Sequence, residues 1–362
     1  MTAPERRGEE FRDDLRPALA AGLPASIGSG NAAARRILSA AELAPLTTLN
    51  DARSALAVAL SFGLIGAAVL LGVLQWGTPW LLLSGVVIGV QQHGLFILAH
   101  EAAHYRLFSR RGLNDGVGRF IGMVSGISMC TYRVVHRLHH NNLYTAEDPD
   151  TAIHGGYPRG VAYLARKLGQ DLVGWNAWKT YAYFFGAPAL NDATGRAARP
   201  LDDTSAQLRA AARADRSAVI ATQVLLPLAM LAIGSWTGLA NYAVLWLLPL
   251  LTVLQPILRL RAICEHGAVD DLSSPLTAAR TNRTWGTPLN WIGRVLLFPH
   301  HVNHHLEHHL YPAVPHYHLP RLHRLLLAKG ALEGAEVRDL ADTLRRIFAE
   351  RSASPGTRRV VS

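Results

Sequence analysis

Histidines placed close together are the residues of this sequence that could do chemistry. Residues 100–104 read HEAAH, and a spacing of four residues puts both imidazoles on one face of a helix. Residues 136–140 read HRLHH, and six of the ten residues in 300–309 are histidine. Imidazole is a good ligand for zinc, copper, iron and nickel. The three clusters therefore predict a transition-metal site.

A fourth element adds one more histidine, which follows Glu265 in the segment RAICEH at residues 261–266. Two metal ions with four or five nitrogen ligands each would use about nine histidines. The spacing of the four elements supplies that number. The predicted ligands are His100, His104, His136, His139, His140, His266, His305, His308 and His309.

Other polar side chains near these histidines are candidates for holding the rings in place. A metal-bound histidine usually donates its second ring N–H to a carboxylate or a carbonyl. Residues 300–309 lie between Pro299 and Pro312 and are predicted to form one helix of about three turns, on which positions 301, 305 and 308 share a face. For the two aspartates of the DPD segment, helix capping or loop hydrogen bonding is an alternative role. The predicted supporting residues are Asp148, Asp150, Glu101, Glu307 and His301.

Two long uncharged segments must position these clusters. Residues 54–100 and 217–258 contain no Asp, Glu, Lys or Arg. A membrane-spanning helix needs about 20 apolar residues, so each segment can form a helical hairpin of two spans. The sequence therefore predicts an all-α integral membrane protein. The four predicted transmembrane helices lie near residues 54–75, 79–99, 217–235 and 241–258.

Basic residues predict the orientation of these hairpins. All 36 Lys and Arg residues lie outside the two uncharged segments, and none lies in their short turns. The positive-inside rule then places the N-terminal arm (1–53), the central segment and the C-terminal helix and tail (326–362) on the cytosolic side. All four histidine elements fall on that side. The Arg-rich, Ala-rich composition suggests a bacterial inner membrane, and the spread of the Arg residues argues against nucleic-acid binding.

Other metalloproteins share parts of this pattern. HEAAH also matches the HExxH signature of zinc proteases, with Glu101 as the base, but neither uncharged segment contains the Asp ligand that an intramembrane zinc protease needs. A carboxylate di-iron bundle needs a second Glu-x-x-His, which the sequence lacks. A histidine-rich metal transporter should have its ligands within the spans, where only His93 lies. The protease and the transporter remain as remote alternatives.

The combination HxxxH, HxxHH and HxxHH resembles the membrane fatty acid desaturase and hydroxylase superfamily. Residues 303–315 (NHHLEHHLYPAVP) are similar to that family's third histidine box, and residues 136–150 are similar to its second box with the downstream DPD. The resemblance covers roughly residues 55–325, within a predicted membrane domain of residues 54–325. One departure is Ala262, where some acyl-CoA desaturases have an Asn that serves a metal through water.

The resemblance implies a four-span helical fold with a cytosolic helical cap that holds the histidine-rich dimetal site. It also implies two ferrous ions, dioxygen as co-substrate, and the insertion of a double bond into the fatty acyl chain of a lipid. A hydroxylase or ketolase acting on a lipid or carotenoid is the alternative, because both chemistries use the same histidine boxes. Two cysteines are too few for an iron–sulfur cluster, and no CxxCH haem attachment is present. A separate ferredoxin-like or cytochrome-like electron donor is therefore expected, attracted by the basic cytosolic face.

Overall fold

The computed structural model describes residues 37–144, 148–187, 189–190, 197–198, 200–201, 204–269, 271 and 274–350. Most of the predicted N-terminal arm and the last residues of the C-terminal tail lie outside this part of the chain. The helices are α1 (Ala40–Thr47), α2 (Asp51–Leu74), α3 (Trp80–Ala103), α4 (Arg111–Ser125), α5 (Met129–Asn141), α6 (Thr151–His154), α7 (Val161–Leu172), α8 (Ala177–Phe184), α9 (Ala206–Tyr242), a π-helix (Ala243–Leu247), α10 (Leu248–Leu251), α11 (Leu254–His266), α12 (Pro275–Ala278), α13 (Pro288–Leu296), α14 (His305–Leu310), α15 (Leu319–Ala328) and α16 (Leu340–Phe348). The short strands are β1 (Ala189–Leu190), β2 (Ala197–Ala198), β3 (Thr281–Arg283) and β4 (Val337–Asp339), with 3₁₀ turns at Pro299–His301 and His316–His318.

The mostly helical fold confirms the predicted class, with two small additions. Strands β1 and β2 pair antiparallel, and β3 pairs in parallel with β4. Strand pairing of this length carries no alternating apolar pattern, so the sequence did not predict it. The β3–β4 pair matters for the site because a β-bridge links Thr281 to His304, at the start of the third histidine cluster.

Three helical segments in the described residues are long and apolar enough to cross a membrane: Asp51–Leu74, Trp80–Ala103 and Ala206–His266. Large apolar side chains on them face outward, and those of Leu82 and Ile233 are 75% and 83% exposed. Extended apolar surface of this kind fits contact with lipid rather than water. The segments agree in position with the predicted spans.

The third segment is interrupted where the turn between the last two spans was predicted. Ser235 has a φ of 54° and a ψ of −153°, far from helical values. A Cβ atom at Gly238 would lie only 2.3 Å from the carbonyl oxygen of Met230. Residues eight apart in one straight helix are separated by about 12 Å. The chain therefore folds back on itself at Ser235, and only glycine fits at position 238.

Local capping places the second histidine cluster. Gly126 adopts a left-handed conformation (φ 79°) and ends α4, as glycine commonly does at a helix C-terminus. The Ser128 hydroxyl then accepts the backbone N–H of Thr131 and caps α5. The last turn of α5 carries His139 and His140. The turn at Gly126 thus directs the second cluster back towards the end of α3.

The third cluster differs from the single helix predicted for residues 300–309. His300 and His301 have positive φ values of 52° and 59°, so the backbone is left-handed there and no helix can start before it. Helix α14 covers only His305–Leu310. The prediction that His301 shares a helical face with His305 is therefore wrong. The left-handed pair turns the chain so that α14 can enter the core.

The C-terminal segments pack onto the rest of the domain. Leu322 and Leu326 of α15 are fully buried with residues of α14, and Ile347 of α16 is buried with Phe298. Helix α15 spans residues 319–328, so the predicted boundary after residue 325 falls inside a helix. These packing contacts position the third cluster next to the first two.

Candidate metal centre

All nine predicted ligands lie together in the structure, in two groups. In the first group the ring nitrogens lie within 4.8 Å of one another, and its members come from α3, α5 and α14. Contacts between Nε2 atoms define its centre: His104 to His136 at 2.8 Å, His136 to His140 at 3.0 Å, and His140 to His308 at 3.1 Å. The first group consists of His100, His104, His136, His140 and His308.

The second group contains four fully buried histidines from α5, α11 and α14. The Nε2 atom of His266 lies 3.2 Å from that of His139 and 2.8 Å from that of His305. His305 in turn lies 3.1 Å from His309, again between Nε2 atoms. Neighbouring histidines of one box thus serve different groups, with His139 in the second and His140 in the first.

The spacing of these nitrogens fits a metal ion at the centre of each group. A nitrogen bound to a first-row divalent ion lies about 2.1 Å from it, so adjacent ligands at right angles are separated by about 3.0 Å. The six Nε2 contacts range from 2.8 to 3.2 Å. Carboxylate-free, all-imidazole groups suit iron, zinc or copper. The residues present therefore fit a dimetal centre.

The hydrogen bonds made by the Nδ1 atoms of two rings also support a dimetal centre. His139 donates Nδ1–H to Asp148 at 2.9 Å, and His266 donates Nδ1–H to the carbonyl oxygen of Ala278 at 3.1 Å. With hydrogen on Nδ1, each Nε2 is left to bind a cation. The two Nε2 atoms face each other across 3.2 Å. Their lone pairs repel unless a proton or a metal ion lies between them, and a metal ion bound to both rings supplies that cation.

Burial keeps the imidazoles in the neutral form that binds metal. It lowers the pKa of His136, His140 and His308 well below the usual histidine value, and it lowers the pKa of His104 to about 3. A protonated imidazole has no free lone pair, so a depressed pKa favours the ligand form. At neutral pH these four rings are ready to coordinate.

Asp148 and Asp150 both lie near Nδ1 of His139. Burial alone lowers the pKa of His139, but the two carboxylates outweigh it and raise the pKa to about 9. Asp150 lies 3.6 Å from His139 Nδ1 and accepts the hydroxyl of Tyr183. Asp148 also lies 3.7 Å from His154. The negative potential of this pair favours positive charge on His139, whether it is a proton or a metal ion at Nε2.

Two glutamates lie near the Nδ1 atoms of other rings, at distances too long for a hydrogen bond. Glu101, a predicted supporting residue, lies 3.6 Å from Nδ1 of His100 and accepts the backbone N–H of His316 at 2.8 Å. Glu265, which the sequence analysis did not select, lies 3.6 Å from Nδ1 of His305 and is held by Arg261. Its position directly before His266 mirrors that of Glu101 after His100, and that symmetry was the available signal.

The other two predicted supporting residues lie elsewhere. Glu307 contacts His323, Thr281 and His304 instead of any of the nine. His301 belongs to neither group, because the left-handed backbone turns it away from α14. The assignment of the nine histidines as metal ligands stays a prediction that this geometry supports.

A buried arginine secures the segment that carries His266. Arg280 is fully buried and donates to the carbonyl oxygens of Cys264, Gly267 and Ala268 at 3.0–3.2 Å, at the C-terminal end of α11. Its Nε also donates to Glu336 at 3.0 Å. Arg280 therefore satisfies the free carbonyls of the helix end next to a predicted ligand. Its partner is 56 residues away, so sequence reasoning had no means of finding it.

Comparison with known proteins gives a consistent picture. The sequence model of the family described as "Fatty acid desaturase" matches residues 74–341, which include all nine histidines. A segment of 90 residues is 36% identical to a protein named Delta(8)-fatty-acid desaturase from Helianthus annuus. That segment covers 24% of this chain and 20% of the relative, so the likeness to this protein is local.

Proposed function

Since the chain belongs to the fatty acid desaturase family, we propose that it is an oxygen-dependent di-iron desaturase that introduces a double bond into a fatty acyl chain of a lipid. One observation carries the proposal: nine histidines, seven of them buried and two partly buried, converge in two groups with spacings that fit two metal ions. The name of the sunflower relative favours desaturation over hydroxylation or ketolation. The family and the apolar helices indicate a membrane-bound oxidoreductase.

Two ferrous ions held by these histidines would supply, with dioxygen, the oxidising power to remove hydrogen from an unactivated methylene pair. The overall change takes two hydrogens from the acyl chain and combines them with dioxygen, two electrons and two protons to give two waters. The residues of this chain hold the rings neutral, orient them and keep water out. His104, His136, His140 and His308, whose pKa values are lowered by burial, provide lone pairs. Asp148 and Asp150 favour positive charge at His139.

We further propose a four-span arrangement for the membrane domain at residues 54–325. Helices α2 and α3 form one hairpin, and the halves of the segment Ala206–His266 that meet at Ser235 form the other. The positive-inside rule then places both termini and the histidine groups on the cytosolic side of a bacterial inner membrane. Membrane lipids would reach the centre from the spans beneath it.

The electrons must come from a separate donor, which we propose is a ferredoxin-like or cytochrome-like protein. Exposed arginines such as Arg111 and Arg119, with 55% and 50% exposed side chains, lie between the first two histidine clusters. A basic surface steers an acidic donor at rates that fall with ionic strength. Turnover with an acidic ferredoxin should therefore slow as salt increases, and salt-independent turnover would refute the steering.

The function is tested by expressing the full chain in a host with a simple lipid profile and analysing its extracted lipids by mass spectrometry. A product lighter by two hydrogens supports desaturation, whereas a product heavier by one oxygen supports the hydroxylase alternative. The variant His308→Ala should abolish the product. His318→Ala is the matched control, because this partly exposed histidine lies outside both groups. An unchanged lipid profile with an iron-loaded protein would refute an acyl substrate.

Metal analysis of the purified protein tests the centre itself. We expect the two histidine groups to hold about two irons per chain, one in each group. His308→Ala and His309→Ala each remove a ligand from a different group, so iron content should fall in both. A single zinc accompanied by peptidase activity would instead support the protease alternative.

A further inference from the structure

A third set of buried metal-binding side chains lies outside the dimetal centre. The ligand atoms of His304, Glu307 and His323 lie within 4.8 Å of one another. The three residues are 4%, 0% and 4% exposed, and none is among the nine predicted ligands. We call these three residues the 304–307–323 cluster. Its chemistry is not needed for the proposed desaturation.

The geometry of α14 separates this cluster from the dimetal centre. Successive residues of an α-helix are rotated by about 100°, so His305, His308 and His309 point to one side. Glu307 then points about 150° away from the middle of that face. It meets His323, which projects from α15, and His304, which precedes the first turn of α14. One short helix therefore presents metal-binding groups on two opposite faces.

Hydrogen bonding accounts for only part of the 304–307–323 cluster. Glu307 accepts from Nδ1 of His323 at 2.5 Å and from the hydroxyl of Thr281. The Nδ1 atom of His304 is buried and has no hydrogen-bond partner among the described residues. It faces the Glu307 carboxylate at 3.8 Å, which is too long for a hydrogen bond. A buried polar atom without a partner is costly, and a bound ligand would remove that cost.

A metal ion is the ligand that this arrangement fits. Two imidazoles and one carboxylate are the donor set of several zinc sites and of mononuclear ferrous sites. Ligand atoms about 2.1 Å from a tetrahedral ion lie about 3.4 Å apart, close to the 3.8 Å between His304 and Glu307. His323 and Glu307 are closer, at 2.5 Å, so the ion would replace the proton on His323 Nδ1 and move the two groups apart. We propose that His304, Glu307 and His323 bind a single divalent transition-metal ion, separate from the dimetal centre. Such an ion would join α14 to α15.

The indole of Trp285 supplies a reporter for this site. Its ring is roughly parallel to that of His304, at 28° with centroids 6.2 Å apart, and it meets His323 edge-on at the same distance. Trp285 is 49% exposed, so the cluster lies close to the surface. A paramagnetic ion bound by the two histidines would therefore lie near this indole and quench its fluorescence.

Total transition-metal content of the full-length protein in detergent tests the proposal. The wild type should hold about three ions per chain, and His304→Phe and His323→Ala should each hold about one fewer. The phenyl ring of His304→Phe keeps the stacking on Trp285 while removing the nitrogen. His318→Ala should retain the wild-type content. Equal metal content in the wild type, His304→Phe and His323→Ala would overturn the proposal.

Fluorescence provides a second test that does not depend on whether His304→Phe and His323→Ala fold. The protein is stripped with a chelator and titrated with Co²⁺, and the Trp285 contribution is the difference between the wild type and Trp285→Phe. Saturable quenching of this contribution supports the site, and its absence overturns it. The result is independent of the proposed function, since His308→Ala, which damages the dimetal centre, should show the same quenching.

Discussion

Replacing Arg280 with methionine should destabilise the fold and loosen the second histidine group. The substitution Arg280→Met keeps a long apolar stem in a fully buried position and removes every donor of the guanidinium. The loss of these donors affects Glu336 less than it affects the carbonyl oxygens at the end of α11. Glu336 keeps a partner, because Arg338 also donates to it at 2.7 Å and 2.9 Å. The carbonyl oxygens at the end of α11 have fewer alternative hydrogen-bond donors.

The magnitude follows from which of those carbonyls lose their partners. Cys264 retains a bond from the Asn282 amide at 3.0 Å, whereas Gly267 and Ala268 lose the bonds from Arg280. Each unsatisfied buried acceptor costs about 1–3 kcal/mol. Breaking a buried ion pair by removing one partner costs about 3–5 kcal/mol, with the lower end applying where the other partner stays paired. We expect the free energy of unfolding to fall by about 3 kcal/mol.

The assay is denaturant unfolding in mild detergent, with Arg283→Met as the matched control. Arg283 lies three residues away, is 46% exposed and pairs with the half-exposed Asp339 at 3.5 Å. An exposed pair of this kind contributes about 0–1 kcal/mol. Arg280→Met should also lose metal from the second group, because the Ala278 carbonyl that orients His266 lies two residues before it. If the two variants unfold within about 1 kcal/mol of each other, the capping role of Arg280 is wrong.

Three further predictions concern the metal centre, two buried histidines outside it and the turn between the last two spans. Asp148→Ala removes the acceptor of His139 Nδ1–H and should weaken metal binding by about 10–100-fold in a chelator competition assay; an unchanged affinity would show that His139 needs no such partner. Burial lowers the pKa of His154 and His300 to about 4, from about 6.5 in the unfolded chain, so the unfolded protein binds more protons between pH 4 and pH 6.5. The free energy of unfolding of the metal-free protein should therefore fall as the pH drops from about 6.5 to about 4. A free energy of unfolding that does not change over this range would contradict the lowered pKa values. Gly238→Ala forces a methyl group against the Met230 carbonyl and should cost about 1–3 kcal/mol, whereas Gly234→Ala, with no neighbouring atom within 4 Å of the added carbon, should cost little; equal costs would argue against the close approach.

Residue spacing predicted which histidines lie on one face of the same helix, because that depends on local periodicity. His100 and His104 lie one turn apart on α3, and residues 136–140 lie on the last turns of α5, as the pattern indicated. The apolar segments around them predicted the long helices and the turn near Ser235. These features rest on helix geometry and on apolar length, which a single sequence displays directly.

Features that depend on long-range contacts or on unusual backbone angles could not be predicted from the sequence. The left-handed conformation of His300 and His301 shortens the third helix, and no glycine marks the position. Glu307 lies within the third box, yet its partners Thr281 and His323 are 26 and 16 residues away. Nothing local distinguishes a glutamate that supports a ligand ring from one that faces the opposite side.

The order of the ligands along the chain has a consequence for biosynthesis. The first group takes four histidines from residues 100–140 and one from position 308, and the second group takes one from position 139 and three from positions 266–309. Neither set of ligands exists in full on a nascent polypeptide until the ribosome has passed residue 308. Within the described residues, the three segments long and apolar enough to cross a membrane all precede that point. Metal loading with the complete ligand sets would therefore follow the translation of these segments.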